Sequence, residues 1–198
     1  TVYEEIAPNP TKEQVEEACA AAKRSGCDFV VGLGGGSSID AAKAVACMMR
    51  QAGDLWDYAY TGSGGRKKII DAAPVVAIAT TAGTGTETDP YSVITKIETG
   101  EKLDFAAAVL YPTLSIIDPE LMLTLPKEQT IYQGVDALFH AAECAIANGG
   151  ENRLVDVFAQ ESISQVLTWL PVVVEEPGNL EGRTMLAYAA DICSGYTQ

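Results

Sequence analysis

The sequence predicts an α/β part running from residue 1 to about residue 121, followed by an all-helical part over 122–198. Three observations carry this reading. Short apolar runs bounded by Gly, Pro or Asp alternate with helical patterns as far as Pro119, the order that builds a parallel sheet with crossover helices. Two of those runs lead directly into glycine-rich turns, as strands do at the carboxyl edge of an open α/β sheet. After Pro126 the strand signal stops and three helical segments follow.

Each element has its own signal. Pro10-Thr11-Lys12-Glu13-Gln14 starts the first helix, with Thr11 as cap and Gln14 at the capping-box position. Val15, Ala18, Cys19 and Ala22 form its apolar stripe, and Gly26 ends it. Residues 28–33 read as a strand buried on both faces. A glycine turn follows, then a helix from about Ser38 to Arg50 carrying Ile39, Ala42, Val45, Ala46 and Met49. Gly62 to Gly65 with Arg66, Lys67 and Lys68 form a polar surface loop. Residues 75–79 are a second buried strand and 114–117 a third, closed by Asp118-Pro119. Between them, residues 92–97 and the turn at 98–101 belong to a hairpin. Helices are expected at about 127–148, 152–170 and 183–195, separated by Asn148-Gly149-Gly150 and by Pro177-Gly178.

Composition narrows the function. With 198 residues, 47% of them hydrophobic, the chain can bury a core as one domain or two small ones. Its net charge of -14 argues against nucleic acid or an anionic membrane as partner, since both attract Lys and Arg. No uninterrupted apolar run reaches membrane-spanning length, so no spanning helix is expected. Thr1-Val2-Tyr3-Glu4-Glu5 does not have the form of a signal peptide; it lacks a starting Met and opens as if in mid-fold. Cys19, Cys27, Cys47, Cys144 and Cys193 form no C-x-x-C pair and read as reduced core thiols, which predicts a cytoplasmic location.

Four segments carry chemistry. Gly34-Gly35-Gly36-Ser37 joins a strand to a helix, where free N–H groups favour an anion; the alternative is a plain tight turn. It lacks the Gly-Lys-Ser/Thr of a P-loop, and Ser37 stands where a full dinucleotide fingerprint has its last glycine. Thr80-Thr81-Ala82-Gly83-Thr84-Gly85-Thr86 repeats the arrangement with hydroxyls suited to ribose or phosphate, or is a Thr-rich surface loop. Lys102 can place a cation in an acidic site, or is a solvated surface lysine. Asp136, His140 and Glu143 share a helix face, and His140 is the chain's single histidine. Asp136 and His140 are either a structural hydrogen-bonded pair or half of a first-row metal site.

In order and spacing these segments resemble the iron-containing (group III) alcohol dehydrogenases. The resemblance rests on Gly34-Gly35-Gly36-Ser37-x-x-Asp40-x-Ala42-Lys43, Thr80-Thr81-Ala82-Gly83-Thr84-Gly85-x-Glu87, Asp118-Pro119-Glu120-Leu121 and Gly134-x-Asp136-Ala137-Leu138-x-His140-Ala141-x-Glu143. It implies a dinucleotide-binding α/β domain, incomplete at its N-terminus, and the start of a helical metal-binding domain. Gly35, Gly36, Ser37 and Asp40 would lie at the pyrophosphate and nicotinamide of NAD or NADP. Thr80, Thr81 and Thr86 would line the cofactor cleft, with Lys102 and Leu121 alongside. Asp136 and His140 would be the first two ligands of Fe2+ or Zn2+. The family takes two further histidines from beyond the segment matched here, and the chain is expected to be an internal piece of a longer enzyme. The implied reaction interconverts a small-molecule alcohol and an aldehyde or ketone, and the full-length enzyme is expected to be a homo-oligomer. No residue reads as a general base. The alternatives are a non-catalytic nucleotide-binding module and a related metal-dependent lyase or synthase.

Overall fold

The computed structural model describes residues 1–197, with side chains as far as Ile192; the Cys193 thiol lies outside the described residues. The chain divides into two compact units, Thr1–Ile78 with Pro90–Ile116, and Ala79–Asp89 with Ile117–Gln198. Where the sequence suggests one boundary near 121, the structure also groups the loop at 79–89 with the helices.

In the first unit, helix α1 (Lys12–Arg24) begins on a complete capping box. The Gln14 N–H donates to Thr11 Oγ1 at 3.3 Å, and the Thr11 N–H donates to Gln14 Oε1 at 3.0 Å. Strand β1 (Val30–Gly34), helix α2 (Gly36–Arg50) and strand β2 (Val75–Ala79) follow. Strands β3 (Tyr91–Lys96) and β4 (Glu101–Ala106) pair antiparallel, with Tyr91 opposite Ala106 and Lys96 opposite Glu101. Strand β5 (Leu114–Ile117) completes a three-stranded parallel sheet ordered β1-β2-β5. Val15, Val45, Leu55, Trp56, Phe105 and Leu110 fill the core, where Trp56 meets Phe105 edge-on at 5.5 Å between ring centroids.

Two expectations are corrected here. Strands β1 and β5 are not buried on both faces: Val31 and Leu33 are 49% and 60% exposed, Leu114 and Ile116 53% and 40%. Helix α2 packs against β1 on one side only, and the face bearing Val31 and Leu33 stays open. Helix α2 also starts at Gly36, two residues earlier than expected. Gly35, extended at φ -82 and ψ -171, is its N-cap, which places Gly36 and Ser37 in the first turn.

The second unit holds helices α3 (Lys127–Asn148), α4 (Arg153–Glu175) and α5 (Leu180–Thr197). Gly149, at φ 55, closes α3 in the left-handed conformation. Helix α4 runs through Pro171 to Glu175, beyond the expected end at 170. Proline removes one backbone donor, but Val173 beyond it is buried and holds the last turns in place. Helix α5 begins three residues before the expected 183, capped by Asn179 Oδ1 accepting from the Gly182 N–H at 2.9 Å. A Cβ on Gly134 would meet the Leu170 side chain at 2.6 Å, so glycine sets the close approach of α3 and α4. Arg183 is buried and donates Nη1 to Thr130 Oγ1 at 2.8 Å, tying α5 to α3. By length and composition alone α4 is long and apolar enough to cross a membrane, which counting uninterrupted apolar runs does not register. It packs on α3 and α5, where Ser162 donates to the Ala189 carbonyl at 2.8 Å.

Candidate functional site

The first unit builds its site from backbone. Gly34 has φ +146, and a Cβ there would lie 2.4 Å from Ser38 Oγ, so the strand can turn into α2 only with glycine at this point. The Ser38 and Ile39 N–H groups fold back onto the Gly35 carbonyl at 3.0 and 3.2 Å. The N–H groups of Gly36 and Ser37 have no acceptor one turn earlier in the helix and sit at its positive end, the arrangement that receives an anion.

Asn9, which sequence reasoning missed, sits beside this turn. It adopts φ 58, its N–H donates to Ser37 Oγ at 3.1 Å, and its Oδ1 accepts from Lys102 Nζ at 2.8 Å. It thereby ties the exposed Lys102 of β4 to the turn. The available signal was Pro8-Asn9-Pro10, an asparagine tolerant of the left-handed region between two rigid residues. Asp40, expected at the cofactor, accepts at Oδ2 from the Val93 N–H at 2.9 Å, and its carbonyl accepts from Ser92 Oγ at 2.7 Å. Lys43 is fully buried and donates to the Tyr91 carbonyl at 2.7 Å. These two motif residues fasten the hairpin to α2 and so fix where the turn points. Behind the turn, at Gly32 and Ser38, lies a mostly apolar cleft of about 730 Å³ that also touches Tyr3, Ala22, Phe29 and Leu33.

In the second unit the Thr-rich loop has a different construction. Gly85, at φ 61, leads into a single 3-10 turn, Thr86–Thr88, in place of a long helix. Thr80 and Thr81 are half-buried and Thr86 is buried. A Cβ on Gly83 would come within 2.3 Å of Gln133 Oε1, so the loop lies flat against α3. Leu121, 41% exposed, sits in the 3-10 turn Pro119–Met122.

On α3, His140 Nε2 lies 3.7 Å from Asp136 Oδ1, and both side chains are partly exposed. That separation is long for a hydrogen bond. It suits two donors of one ion, which with bonds of about 2.1 Å stand roughly 3–4 Å apart. Glu143, on the same face, is exposed. Among the described residues no three His, Cys, Asp or Glu gather to hold a metal. The donors therefore fit a divalent ion in chemistry and supply half of the usual four. Of the expected site residues, Gly35, Gly36, Ser37, Asp40 and Lys102 belong to the first unit; Thr80, Thr81, Thr86, Leu121, Asp136 and His140 belong to the second.

The family model for iron-containing alcohol dehydrogenase matches residues 1–119. The chain is 37% identical to the long-chain primary alcohol dehydrogenase AdhA of Thermoanaerobacter ethanolicus, over 96% of this chain and 47% of that protein. It is 38% identical to the NAD-dependent methanol dehydrogenase of Bacillus methanolicus, over 95% of this chain and 48% of that one. The solved structure of sulfoacetaldehyde reductase from Bifidobacterium kashiwanohense in complex with NAD+ superposes with a TM-score of 0.90 at 33% identity, covering 98% of this chain and 50% of that chain. The chain thus spans about half the length of these relatives.

Proposed function

The chain belongs to the iron-containing alcohol dehydrogenase family, and on that premise we propose that it serves an oxidoreductase interconverting an alcohol with an aldehyde or ketone by hydride transfer to or from NAD or NADP. The observation that carries the reading is the start of α2, where the Gly36 and Ser37 N–H groups, the Asn9 link and Lys102 converge. In a chain of net charge -14, an anionic cofactor needs such backbone donors and a placed cation.

Gly35, Gly36 and Ser37 bind the pyrophosphate, and Lys102 supplies positive charge beside them. Asp40 holds α2 and the hairpin in register. The contacts proposed for the second unit are Thr80, Thr81, Thr86 and Leu121. The nicotinamide supplies the hydride acceptor or donor when bound. Asp136 and His140 would hold Fe2+ or Zn2+, which when bound supplies Lewis-acid polarisation of the substrate oxygen. The partner is a small-molecule alcohol or aldehyde and not nucleic acid or a membrane. Homo-oligomeric assembly and a cytoplasmic location belong to the same proposal. A second reading, a nucleotide-binding module without turnover, is favoured by one observation: two metal donors stand together where four are usual.

Fluorescence titration of this chain with NADH and NADPH, followed by an alcohol-oxidation assay with Fe2+ or Zn2+ on a chain extended at both ends to the length of its relatives, separates the readings. Cofactor binding with turnover supports the first. Binding without turnover selects the second. No binding of either nucleotide rejects both.

A further inference from the structure

The loop at 79–89 and α5 belong to one unit, and they meet at two carboxyl groups that the proposed reaction does not use. Glu87 is 4% exposed. Asp191, on α5, is hydrogen-bonded to it through its side chain, and its Oδ1 is buried without a hydrogen-bond partner among the described residues. The neighbouring Thr88 donates from Oγ1 to the Asp191 carbonyl at 3.3 Å and to the Gly85 carbonyl at 2.8 Å, so backbone as well as side chain joins the loop to the helix. Two buried carboxylates in contact repel; they attract when one carries a proton and donates it to the other.

The surroundings offer little to offset that repulsion. Asp89, on the same loop, is buried. The 3-10 turn packed on α5 brings the exposed Glu120. Among the described residues, helices α3 and α4 make their side-chain hydrogen bonds to α5 through the uncharged Thr130 and Ser162. Arg183, two turns earlier on α5, donates Nη1 to Thr130 and Nε to the Pro177 carbonyl, and its Nη2 is buried without a partner among the described residues. Glu87 is the charged group that acts on Asp191 among the described residues. Burial first, then Glu87, push the Asp191 carboxyl up to about 8.

We propose that Glu87 and Asp191 form a proton-held latch between the Gly83–Asp89 loop and α5, closed while the pair holds a proton and released when it is lost. With the loop open, Asp191 meets water and returns to the ordinary carboxylate range. Opening therefore releases a proton between about pH 4 and about pH 8, and the open fraction grows about tenfold per pH unit across that window. Above it both forms are ionised and the dependence levels off. The latch does not depend on the reaction assigned above.

Amide hydrogen exchange on the full chain tests this, with protection factors for residues 83–89 corrected for intrinsic exchange. From about pH 5.5 to about pH 7.5 they should fall about tenfold per unit in the wild type and stay flat in Asp191→Asn. A flat wild-type profile, or an undiminished slope in Asp191→Asn, overturns the latch. Carboxyl-carbon NMR titration of the wild type decides it without any variant: an Asp191 midpoint near 8 supports the latch, and a midpoint in the ordinary Asp range overturns it.

Discussion

Gly34-Gly35-Gly36 and Gly83-Thr84-Gly85 both follow apolar strands, yet the first opens the 15-residue helix α2 and the second a 3-10 turn of three residues. A long helix presents free first-turn N–H groups and an aligned dipole to an anion. A three-residue turn presents neither to a useful extent. What it offers is hydroxyls, together with a carboxyl pair that fastens it to α5. Two loops of similar glycine content thus have different chemistry, decided by the element that follows each.

The largest expected effect follows from that contrast. Gly36→Val puts a branched side chain where the backbone must approach phosphate, and should weaken NADH binding by about 100-fold, near 2.7 kcal/mol. Thr81→Val removes one hydroxyl and should cost about 3- to 10-fold. Fluorescence titration of both variants, with circular dichroism to confirm folding, measures the difference. Equal losses would erase the distinction between the loops.

A second test sets the backbone site against the side-chain pair on α3. Because Asp136 and His140 are two donors, the chain should retain no tightly bound Fe2+ or Zn2+ after dialysis, and His140→Ala should abolish the weak binding measured by zinc titration. NADH affinity should be unchanged in that variant. One tightly held equivalent of metal per chain would show that the donor set is complete in some other way.

How much of this could be read in advance follows the range of each interaction. The α1 capping box, α3 and the hairpin are local, set by Thr11 with Gln14, by Gly149, and by the alternation around 92–97. The expected end of α4 at about 170 fell short because burial of Val173, beyond Pro171, carries the helix on to Glu175. The open faces of β1 and β5 could not be seen, since an apolar run does not say whether a helix covers it. In the site, Gly35, Gly36 and Ser37 were legible from their place between strand and helix. Asn9 and the Asp191–Glu87 contact were not, because they join residues 28 and 104 positions apart respectively.

Lys102 offers a smaller effect. Its ammonium reaches the turn through Asn9 and is exposed, so its field is screened by salt. Lys102→Met should weaken NADH binding by about 3-fold at low ionic strength, and the difference should shrink in about 0.5 M salt. An effect of the same size at both ionic strengths would mean that the lysine acts through packing and not through charge.

The smallest effect contrasts a carboxylate in the first unit with the latch in the second. Glu101 accepts from Ser63 Oγ, Thr99 Oγ1, the Ser63 N–H and the Trp56 indole, pinning the Gly62–Gly65 loop to the hairpin. Those hydrogen bonds, the Ser63 hydroxyl foremost, hold its carboxyl down at about 2. A carboxyl with a depressed folded-state value stabilises the fold above its unfolded value, and the contribution disappears as pH falls through about 2. Asp191 has the opposite sign, since its protonated form is the one favoured in the fold and that advantage is lost as pH rises through about 8. Glu101→Gln should therefore be slightly less stable than wild type in urea at pH 7, and the gap should close as the titration is repeated towards pH 2. Asp191→Asn should instead gain on the wild type from about pH 5 to about pH 8. A gap for Glu101→Gln that is independent of pH would mean its hydrogen bonds hold the neutral acid as well as the carboxylate, and the two units would no longer differ in the sign of their response.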